Sequence, residues 1–413
     1  MAKRSQQSVP ARQKPSREPE VLSLYYITHI NNIRSILTEG ILSHSLIEQR
    51  QIQFTPIYDT AIVSRRRERL VQGDKSLWDF ANMYFQPRNP MLYRVLHEKN
   101  SEDIAVLGIS PSVLQTSGAL VSLGNAAAGE TQILPSDEGR KELETIWKDV
   151  KNEWWSAADG SKRRIMAECL VPDMVDPECV NTVYVSGQTA AARVRAMGLP
   201  RRVSVVPEPS MFFRPARRIR VTETLFLADG DMFFSTMQTL TVSVNTVGIM
   251  GKGLASRAKY QFPDVYVRYQ DVCRQKLLSM GRPYLYKRES FFDLELAEDP
   301  ASMPTPNERK WFLLFATKRH WRDRSELSAI DTGLHWISDN FKKEGIQSLA
   351  LPALGCGLGR LDWKDVGPVM CRTLATLEIP TVIYLPREAD IDAALLTTEF
   401  LLEGSHQGQH RII

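Results

Sequence analysis

The sequence predicts two domains, of which the second is an α/β domain built on a parallel or mixed sheet. Its 413 residues exceed what one hydrophobic core usually holds. In the C-terminal half, apolar strand-like runs alternate with helical runs, which indicates strands joined by crossover helices. A stretch rich in proline and arginine at 200–220 separates the two halves. We therefore predict a junction near residue 216.

The composition is that of a globular protein, with 43% hydrophobic and 24% charged residues. No apolar run has the length of a membrane span, and the N-terminus lacks the apolar region of a secretory signal. We therefore expect a cytoplasmic protein. The five cysteines have no CxxC spacing, so we expect reduced thiols and no metal. The net charge of +4 is too small to indicate nucleic-acid binding, although the arginines are clustered.

The N-terminal half begins with a polar, basic stretch without periodicity, and we expect 1–20 to be a disordered arm. Residues 21–216 form the first predicted domain. The run VLSLYYITHI predicts a strand, and NNIRSILTEG predicts a helix that Asn31 or Asn32 caps and Gly40 ends. Further along, 138–155 predicts one amphipathic helix and IMAECLV predicts a strand.

Two features of this half suggest chemistry. Glu168 interrupts the apolar run IMAECLV, where a carboxylate is costly unless it faces a site or finds partners. The segment SRRRERLV has four arginines in five positions, and Arg88 follows in the turn QPRNP. Arginine suits bidentate phosphate binding, but a solvated basic face would give the same pattern. Both interpretations stay open on the residues alone.

The second predicted domain, 217–404, alternates regularly and is followed by a loose tail at 405–413. Its predicted strands lie at about 224–228, 238–245, 311–316, 347–353 and 381–385. Its predicted helices lie at about 253–260, 264–280, 325–343 and 364–378.

Two glycine-rich turns follow strands of this domain. The first, VNTVGIMGKGLA at 244–255, leads into a helix, and the second is PALGCGLGRLDW at 352–363. Glycine lets the backbone approach a ligand closely, and a helix N-terminus offers free N–H groups. Two such turns from parallel strands can clamp one diphosphate from both sides.

Lys318 follows the apolar run WFLLFAT and stands beside Arg319, His320 and Arg322. Neighbouring cations and partial burial lower a lysine pKa, and a neutral amine can act at an anomeric carbon. A plain surface or phosphate-binding lysine is the alternative, and His320 is better explained as a structural residue. In the second glycine turn, Cys356 is better explained by its small size than by nucleophilicity.

Five ordered motifs in the second domain resemble a macrodomain, and in particular the macrodomain of the DarG antitoxin. They are LADGDMF, QTLTVSVNTVGIMGKGLA, FPDVYVRY, FATKRHWRDRS and PALGCGLGRLDW, spread over about 220–390. The resemblance implies an α/β/α sandwich that binds ADP-ribose and removes it from a modified DNA base, with Lys318 as the catalytic residue.

The same resemblance implies the ADP-ribose contacts. Asp229 or Asp231 would bind the adenine amino group, and Asn245 would bind the distal ribose unless it simply caps a turn. The full set implied is Asp229, Asn245, Gly251, Lys252, Gly253, Leu254, Gly355, Cys356, Gly357, Leu358 and Gly359.

Four ordered motifs in the first domain resemble the DarT toxins, over about 21–214. They are LYYITHINNIRSIL, VSRRRERLV, YFQPRNPMLY and RRIMAECLVP. The resemblance implies an α+β ADP-ribosyltransferase fold around an NAD cleft, with NAD as substrate and thymine in single-stranded DNA as acceptor. The family glutamate falls on Glu168, and the family arginine falls on Arg66, with Arg65 or Arg69 as alternatives in a shifted register.

The implied NAD contacts are Thr28, His29, Arg65, Tyr84, Arg88 and Met91. Trp78, Tyr84 and Phe85 offer rings on which DNA bases could stack. The first strand departs from the family pattern, since Tyr26 stands where the family often has histidine.

Together the two resemblances predict a fused toxin and antitoxin: a glycosyltransferase that modifies DNA and a hydrolase that reverses the modification. The expected partners are single-stranded DNA, ADP-ribose and the other domain, with no membrane. Two alternatives remain. The first half could bind DNA without catalysis while the second reads ADP-ribose, or the same chemistry could act on RNA or protein.

Overall fold

The structure, a computed structural model, describes residues 18–58, 60–303, 309–386 and 390–403. The predicted N-terminal arm lies outside this part of the chain except for its last three residues, and so does the predicted tail at 405–413.

The N-terminal domain combines a large mixed sheet with short helices. Its strands are β1 (Leu24–His29), β2 (Ile41–Leu42), β3 (Leu70–Gln72), β4 (Lys75–Ser76), β5 (Phe80–Tyr84), β6 (Ile104–Ile109), β7 (Leu120–Ser122), β8 (Ile133–Pro135), β9 (Glu168–Pro172), β10 (Met174–Val175), β11 (Val180–Val185) and β12 (Ser204–Pro207). Its helices are α1 (Ile33–Glu39), α2 (His44–Arg50), α3 (Thr60–Glu68), α4 (Pro90–Glu98), α5 (Ser136–Glu142), α6 (Trp147–Val150), α7 (Ser161–Arg164) and α8 (Gln188–Arg195).

Eight of these strands form one sheet in the order β12-β11-β6-β1-β5-β9-β7-β8. Neighbours are antiparallel except for the parallel pair β11 and β12. In this order β9 lies between β5 and β7, and Glu168 is in register with Tyr84 on one side and Ser122 on the other. The sheet therefore gathers these three residues, distant in sequence, at one place.

The C-terminal domain alternates strands and helices. Its strands are β13 (Arg217–Arg220), β14 (Leu225–Asp229), β15 (Thr239–Asn245), β16 (Tyr284–Tyr286), β17 (Trp311–Lys318), β18 (Leu349–Pro352) and β19 (Thr381–Tyr384). Its helices are α9 (Gly253–Gln261), α10 (Pro263–Arg274), α11 (Phe292–Leu296), α12 (Leu327–Glu344) and α13 (Trp363–Leu374), and a π-helical turn spans Glu399–Glu403.

The seven strands of this domain lie in the order β13-β14-β19-β18-β15-β17-β16. The five inner strands are parallel and the two edge strands are antiparallel to their neighbours. Because β15, β17 and β18 are parallel, their carboxyl ends meet at one edge of the sheet. That edge carries Asn245, Lys318 and both glycine-rich turns.

The predicted fold classes of the two domains are confirmed, with local corrections. The single helix predicted over 138–155 is interrupted, because Ile146 leaves the helical region at φ −114° and ψ 1°. After the interruption, Trp147 packs edge-on against Phe85, with ring centroids 6.4 Å apart. Glu168 is the first residue of β9 and does not lie in mid-strand as expected.

The two domains share an apolar cluster of aromatic residues. Trp155 and Phe213 of the N-terminal half contact Phe234 of the C-terminal half, with centroid distances of 5.5 and 4.5 Å. The last strand of the first sheet ends at Pro207 and the first strand of the second begins at Arg217. The predicted junction near 216 lies just before that strand.

Candidate active sites of the two domains

The first site centres on an ion pair between Arg66 and Glu168. Arg66 Nη2 lies 2.9 Å from Glu168 Oε2, and Nη1 lies 3.4 Å from Oε1. The carboxylate side chain is fully buried and that of Arg66 is 13% exposed. A buried, bidentate pair of this kind fixes both side chains in one geometry.

Helix α3 selects which arginine enters the site. Its last turn carries three successive arginines, and each reaches a different carboxylate. Arg66 pairs with Glu168, Arg65 with Asp299 at 2.9 Å, and Arg67 with Glu48. Arg69 instead donates to the carbonyls of Ala128 and Thr131. Of the three registers considered for the family arginine, the structure brings Arg66 to the glutamate.

The loop before β8 holds the other side of the glutamate. The backbone N–H of Ala126 donates to Glu168 Oε1 at 2.9 Å, and the N–H of Glu168 donates to Ser122 Oγ at 3.0 Å. Burial alone would lower the pKa of Arg66, but the charge and hydrogen bonds of Glu168 outweigh it and raise that pKa. The guanidinium therefore stays charged throughout the accessible pH range.

A mostly apolar cavity opens beside this pair. The predicted contacts Thr28, Tyr84 and Met91 line it, together with Tyr26 and Arg66. Enclosed apolar walls with a few converging polar groups are typical of a cofactor or substrate pocket. Burial raises the pKa of Tyr26 to about 12, so its hydroxyl stays protonated at neutral pH.

Sequence reasoning missed the role of Asn32, which it treated as a possible helix cap. Its Nδ2 donates to Thr28 Oγ1 at 3.2 Å and to the carbonyl of Thr55 at 2.9 Å. Asn32 thus fixes the hydroxyl of Thr28 at the cavity wall. His44, which also lines the cavity, was missed as well. Burial is the main cause that lowers its pKa to about 4, and the charge of Arg66 is the second.

Three predicted NAD contacts lie elsewhere. His29 Nδ1 accepts from the N–H of Asn31 at 3.1 Å and so caps the turn after β1. Arg65 is largely exposed and paired with Asp299. Arg88 is buried between Phe213 and Phe234 and pairs with Asp231 at 3.0 Å. These three side chains have protein partners in the structure, and their contact with NAD stays a prediction.

The three rings predicted to stack on DNA bases have neighbours within the protein. Phe85 is buried in the core of the N-terminal domain and offers no face to a base. Trp78 stacks on His44, with centroids 4.2 Å apart, and Arg67 lies 4.6 Å over its ring. Tyr84 is buried at the cavity wall beside Glu168.

The second site lies where the two glycine-rich turns meet. A Cβ built on Gly253 would lie 3.3 Å from Leu358 Cδ1, so the turns face each other. At Gly251 and Gly357 the same construction meets no described atom within 4 Å. Helix α9 begins after Lys252 without a side-chain cap among the described residues, which leaves its N–H groups for a ligand.

The second turn is closed by its own backbone. Leu361 N–H donates to the carbonyl of Gly355, and Arg360 N–H donates to that of Gly357, both at 3.0 Å. A side chain at Gly359 would lie 2.3 Å from Ser325 Oγ and 2.5 Å from the carbonyl oxygen of Gly355, so only glycine fits there. Burial raises the pKa of the Cys356 thiol to about 12, which supports packing over nucleophilicity.

Lys318 ends β17 directly beside this turn. Its Nζ donates to the carbonyl of Leu358 at 3.1 Å and to that of Asp323 at 3.3 Å. Burial, followed by the charge of Arg360, lowers the Lys318 pKa. A lowered Lys318 pKa was predicted from the sequence, but the cation that lowers it is Arg360 and not the neighbouring Arg319 or Arg322.

The remaining side chains predicted to contact ADP-ribose have protein partners in the structure, and their contact with the ligand stays a prediction. Asn245 is buried, its Oδ1 accepts from Val247 N–H at 3.0 Å, and its Nδ2 donates to the carbonyl of Ile249 at 2.6 Å. It therefore holds the first turn in shape, as its alternative role required. Asp229 pairs with Arg217 at 2.7 Å. Asp231 is buried between Arg88 and Arg257.

Comparison with known proteins decides the family. A curated fusion protein of Thermosipho africanus, described as a DNA ADP-ribosyl transferase–DNA ADP-ribosyl glycohydrolase, is 53% identical over 386 residues, covering 93% of this chain and 99% of that protein. The chain belongs to the DarT–DarG fusion family. The solved structure of Thermosipho africanus DarTG in complex with ADP-ribose has a TM-score of 0.87 at 52% identity, covering 92% of this chain and 99% of that one.

Each half of this DarT–DarG fusion also has matches of its own. Residues 25–213 match the family model of DarT, described as an ssDNA thymidine ADP-ribosyltransferase. A DNA ADP-ribosyl glycohydrolase of Mycobacterium tuberculosis is 32% identical over 158 residues, which is 38% of this chain and 41% of that protein. We call the two halves the transferase domain and the macrodomain from here on.

Two features are absent from the described residues of the fusion protein. No group of three or more His, Cys, Asp or Glu side chains suited to a metal ion was found there. Within the same ranges, no helix combines the length and the apolar character needed to cross a membrane.

Proposed function

We propose that the transferase domain moves ADP-ribose from NAD to thymine in single-stranded DNA, and that the macrodomain removes it again. The observation that carries this proposal is the buried pair of Arg66 and Glu168 at the wall of a cavity. It occurs in a chain similar, over nearly its full length, to a fusion protein named for both activities. The transferase domain acts as a toxin and the macrodomain acts as its antitoxin. Both act in the cytoplasm, where NAD and single-stranded DNA are present.

Transfer begins when the bond between the nicotinamide nitrogen and ribose C1′ breaks and its electron pair leaves with nicotinamide. The Glu168 carboxylate stabilises the positive charge that develops on the ribose. The lone pair of thymine N3 then forms the new bond to C1′, and the N3 proton passes to Glu168. Arg66 holds that carboxylate in place, and Thr28, Tyr84 and Met91 form the wall against which NAD is held.

The acceptor is single-stranded because N3 of a pyrimidine is occupied by base pairing in a duplex. An enzyme that reacts there needs a base that is already free or has been flipped out. The buried position of Glu168 adds to this requirement, since a paired base inside a helix would not reach it.

Removal uses the amine of Lys318. A neutral amine has two N–H groups and one lone pair, and the carbonyls of Leu358 and Asp323 accept the two N–H groups. The lone pair is then free to add to C1′ as the bond to N3 breaks. The electron pair of that bond goes to the base, which takes up the proton that the lysine nitrogen releases. Water then adds to C1′, the bond between C1′ and Nζ breaks, its electron pair and a proton return to the lysine, and ADP-ribose is released. The amide groups of 251–254 and 355–359 bind the diphosphate meanwhile.

An exposed loop beside Lys318 is suited to hold the rest of the DNA strand. Trp321 is 46% exposed, the guanidinium of Arg322 lies 4.5 Å over its ring, and Arg319 is also exposed. Aromatic rings interleaved with arginines bind single strands by stacking and by phosphate contacts. We assign this loop to the nucleotides that flank the modified thymidine.

The proposal is tested with the full-length Lys318→Ala variant, NAD and a thymidine-containing oligonucleotide. We expect the oligonucleotide mass to increase by one ADP-ribosyl group, and the parent protein to reverse that increase when added later. A matched oligonucleotide without thymidine, an RNA of the same sequence and the Glu168→Ala variant serve as controls. An unchanged mass with every acceptor would mean that the first domain only binds DNA.

Growth of bacterial cells gives an independent test. We expect Lys318→Ala to make the chain toxic, because modified DNA then accumulates, and Glu168→Ala to suppress that toxicity in the double variant. Equal growth of the parent and both variants would contradict the proposal.

A further inference from the structure

The macrodomain inserts one of its own segments into the transferase domain. Helix α11 and the residues after it, 292–299, contact the transferase domain at both ends. Trp155 Nε1 donates to the carbonyl of Leu296 at 3.0 Å, and Tyr93 donates its hydroxyl to Asp293 at 2.8 Å. Phe292 and Leu296 are buried. We name residues 292–299 the docking segment.

The end of the docking segment is fixed by polar contacts next to the active site. The N–H of Glu298 donates to the carbonyl of Pro90 at 3.1 Å. Arg94 donates to the carbonyl of Asp299 at 3.2 Å, and Arg65 pairs with the Asp299 carboxylate at 2.9 Å. Arg65 is the neighbour of Arg66, so the segment is bound at the very turn of α3 that supplies the site.

These contacts place the Glu298 carboxylate beside the proposed catalytic pair. Glu298 Oε1 accepts from Asn125 Nδ2 at 2.7 Å, and the next residue, Ala126, donates its N–H to Glu168 at 2.9 Å. Glu298 also lines the same cavity as Arg66. Two carboxylates thus approach one site from different domains.

The second carboxylate is unfavourable where it lies. Burial, followed by the charge of Glu168, raises the pKa of Glu298. Such a position persists only if other contacts of the segment outweigh it. The aromatic, aliphatic and ion-pair contacts of 292–299 are the ones available to do so.

We propose that the docking segment is an intramolecular inhibitor of the transferase, with the Glu298 side chain occupying the approach of the acceptor base to Glu168. The inference rests on the proposed transferase function. The thymine ring must come beside Glu168 to meet C1′, and Glu298 fills that approach. Its negative charge also repels the phosphates of an incoming strand. Transfer then requires that the segment be displaced, so the antitoxin restrains the toxin before it repairs any DNA.

The test compares initial transfer rates in a Lys318→Ala background, so that the product persists. We expect Glu298→Ala to raise the rate by about tenfold. Asp299→Asn, which breaks the pair with Arg65, is expected to raise it by a smaller factor. Glu289→Gln removes an exposed carboxylate three residues before the docking segment and is expected to leave the rate unchanged. Equal affinity of all variants for free ADP-ribose, measured by calorimetry, establishes that the macrodomain is folded.

An unchanged rate with both Glu298→Ala and Asp299→Asn would overturn the proposal. A large fall in rate with Glu298→Ala would overturn it as well, since the carboxylate would then take part in the reaction.

A binding measurement separates failure of this inference from failure of the proposed function. In a Glu168→Ala background without NAD, fluorescence anisotropy reports the affinity for a labelled thymidine-containing oligonucleotide. Glu298→Ala is expected to bind about fivefold more tightly than its parent, because the approach is open. No gain in affinity would refute occlusion even if transfer occurs. Absence of transfer from every variant, together with a gain in affinity, would refute the transferase assignment alone.

Discussion

Arg66 and Glu168 should act as one unit, and a double-mutant cycle tests this. Their two hydrogen bonds of 2.9 and 3.4 Å join a fully buried carboxylate to a guanidinium that is 13% exposed. If Arg66 is removed, the carboxylate loses the partner that orients it. If Glu168 is removed, the guanidinium has no carboxylate to orient.

Breaking this pair affects folding stability and rate separately. Removing one partner of the buried pair costs about 3–5 kcal/mol of folding stability, and Ala126 N–H, which still donates to Glu168 at 2.9 Å, offsets part of that cost in Arg66→Ala. The transfer rate falls because the positive charge that develops on the ribose loses its oriented carboxylate, and losing one such group costs about 10²–10³ in rate. We therefore expect each single variant to lower the transfer rate roughly 100- to 1000-fold. Both variants remove the same function, a correctly oriented Glu168 carboxylate. The transfer rate of the double variant should therefore be within about tenfold of that of the slower single variant.

The assay is the initial rate of oligonucleotide modification in the Lys318→Ala background, at saturating NAD and DNA. Arg50→Ala is the control. Arg50 Nη1 lies 3.5 Å from Glu39 Oε2 in an exposed ion pair, and neither residue lines the cavity. The rate of this control should equal that of the background protein. A loss in the double variant equal to the product of the two single losses would refute the reasoning, because the residues would then act independently.

Three further predictions concern the macrodomain. The rate of ADP-ribose removal should rise with pH through the pKa of Lys318, because the neutral amine is the form that reacts. The charge of Arg360 lowers that pKa, so Arg360→Ala should move the rise to higher pH in a pH–rate profile. Gly359→Ala should lower the melting temperature by overpacking Ser325 and the turn, at a cost of about 1–3 kcal/mol, whereas Gly357→Ala should keep the melting temperature but weaken ADP-ribose binding in calorimetry. Trp321→Ala should slow removal from an ADP-ribosylated oligonucleotide about tenfold without changing the affinity for free ADP-ribose, and equal losses in both would contradict a role in strand binding.

The macrodomain site was predictable because local pattern and sheet topology act together. Alternating strands and helices predict parallel strands, and parallel strands bring their carboxyl ends to one edge. Lys318 and both glycine turns therefore had to meet once the alternation was recognised. Asn245 was harder, because the same side chain at a strand end can bind ribose or shape a turn, and only its partners Val247 and Ile249 decide.

The transferase site was predictable in part. Glu168 was recognisable because a carboxylate in an apolar run is costly to bury. The arginine cluster was recognisable because four arginines occupy five positions. The choice of Arg66 over its neighbours depends on the direction in which each side chain leaves α3, which composition does not encode. The ion pair of Arg88 was not predictable, because its partner Asp231 is 143 residues away in the chain and in the other domain. No local sequence pattern predicts a contact between residues so far apart in the chain.

Occlusion by Glu298 could be relieved in two ways, and the contacts favour the local one. Separating the domains would expose the buried rings of Trp155 and Phe234, at about 1.5–3 kcal/mol each, and the partly buried ring of Phe213. Displacing the end of the docking segment breaks mainly polar contacts, in which Arg65 is largely exposed. Exposed ion pairs contribute roughly 0–1 kcal/mol, and strand phosphates can replace Asp299 as the partner of Arg65. Incoming DNA would therefore displace 298–299 while the aromatic contact between the domains stays intact, so the macrodomain remains beside the strand that it must later repair.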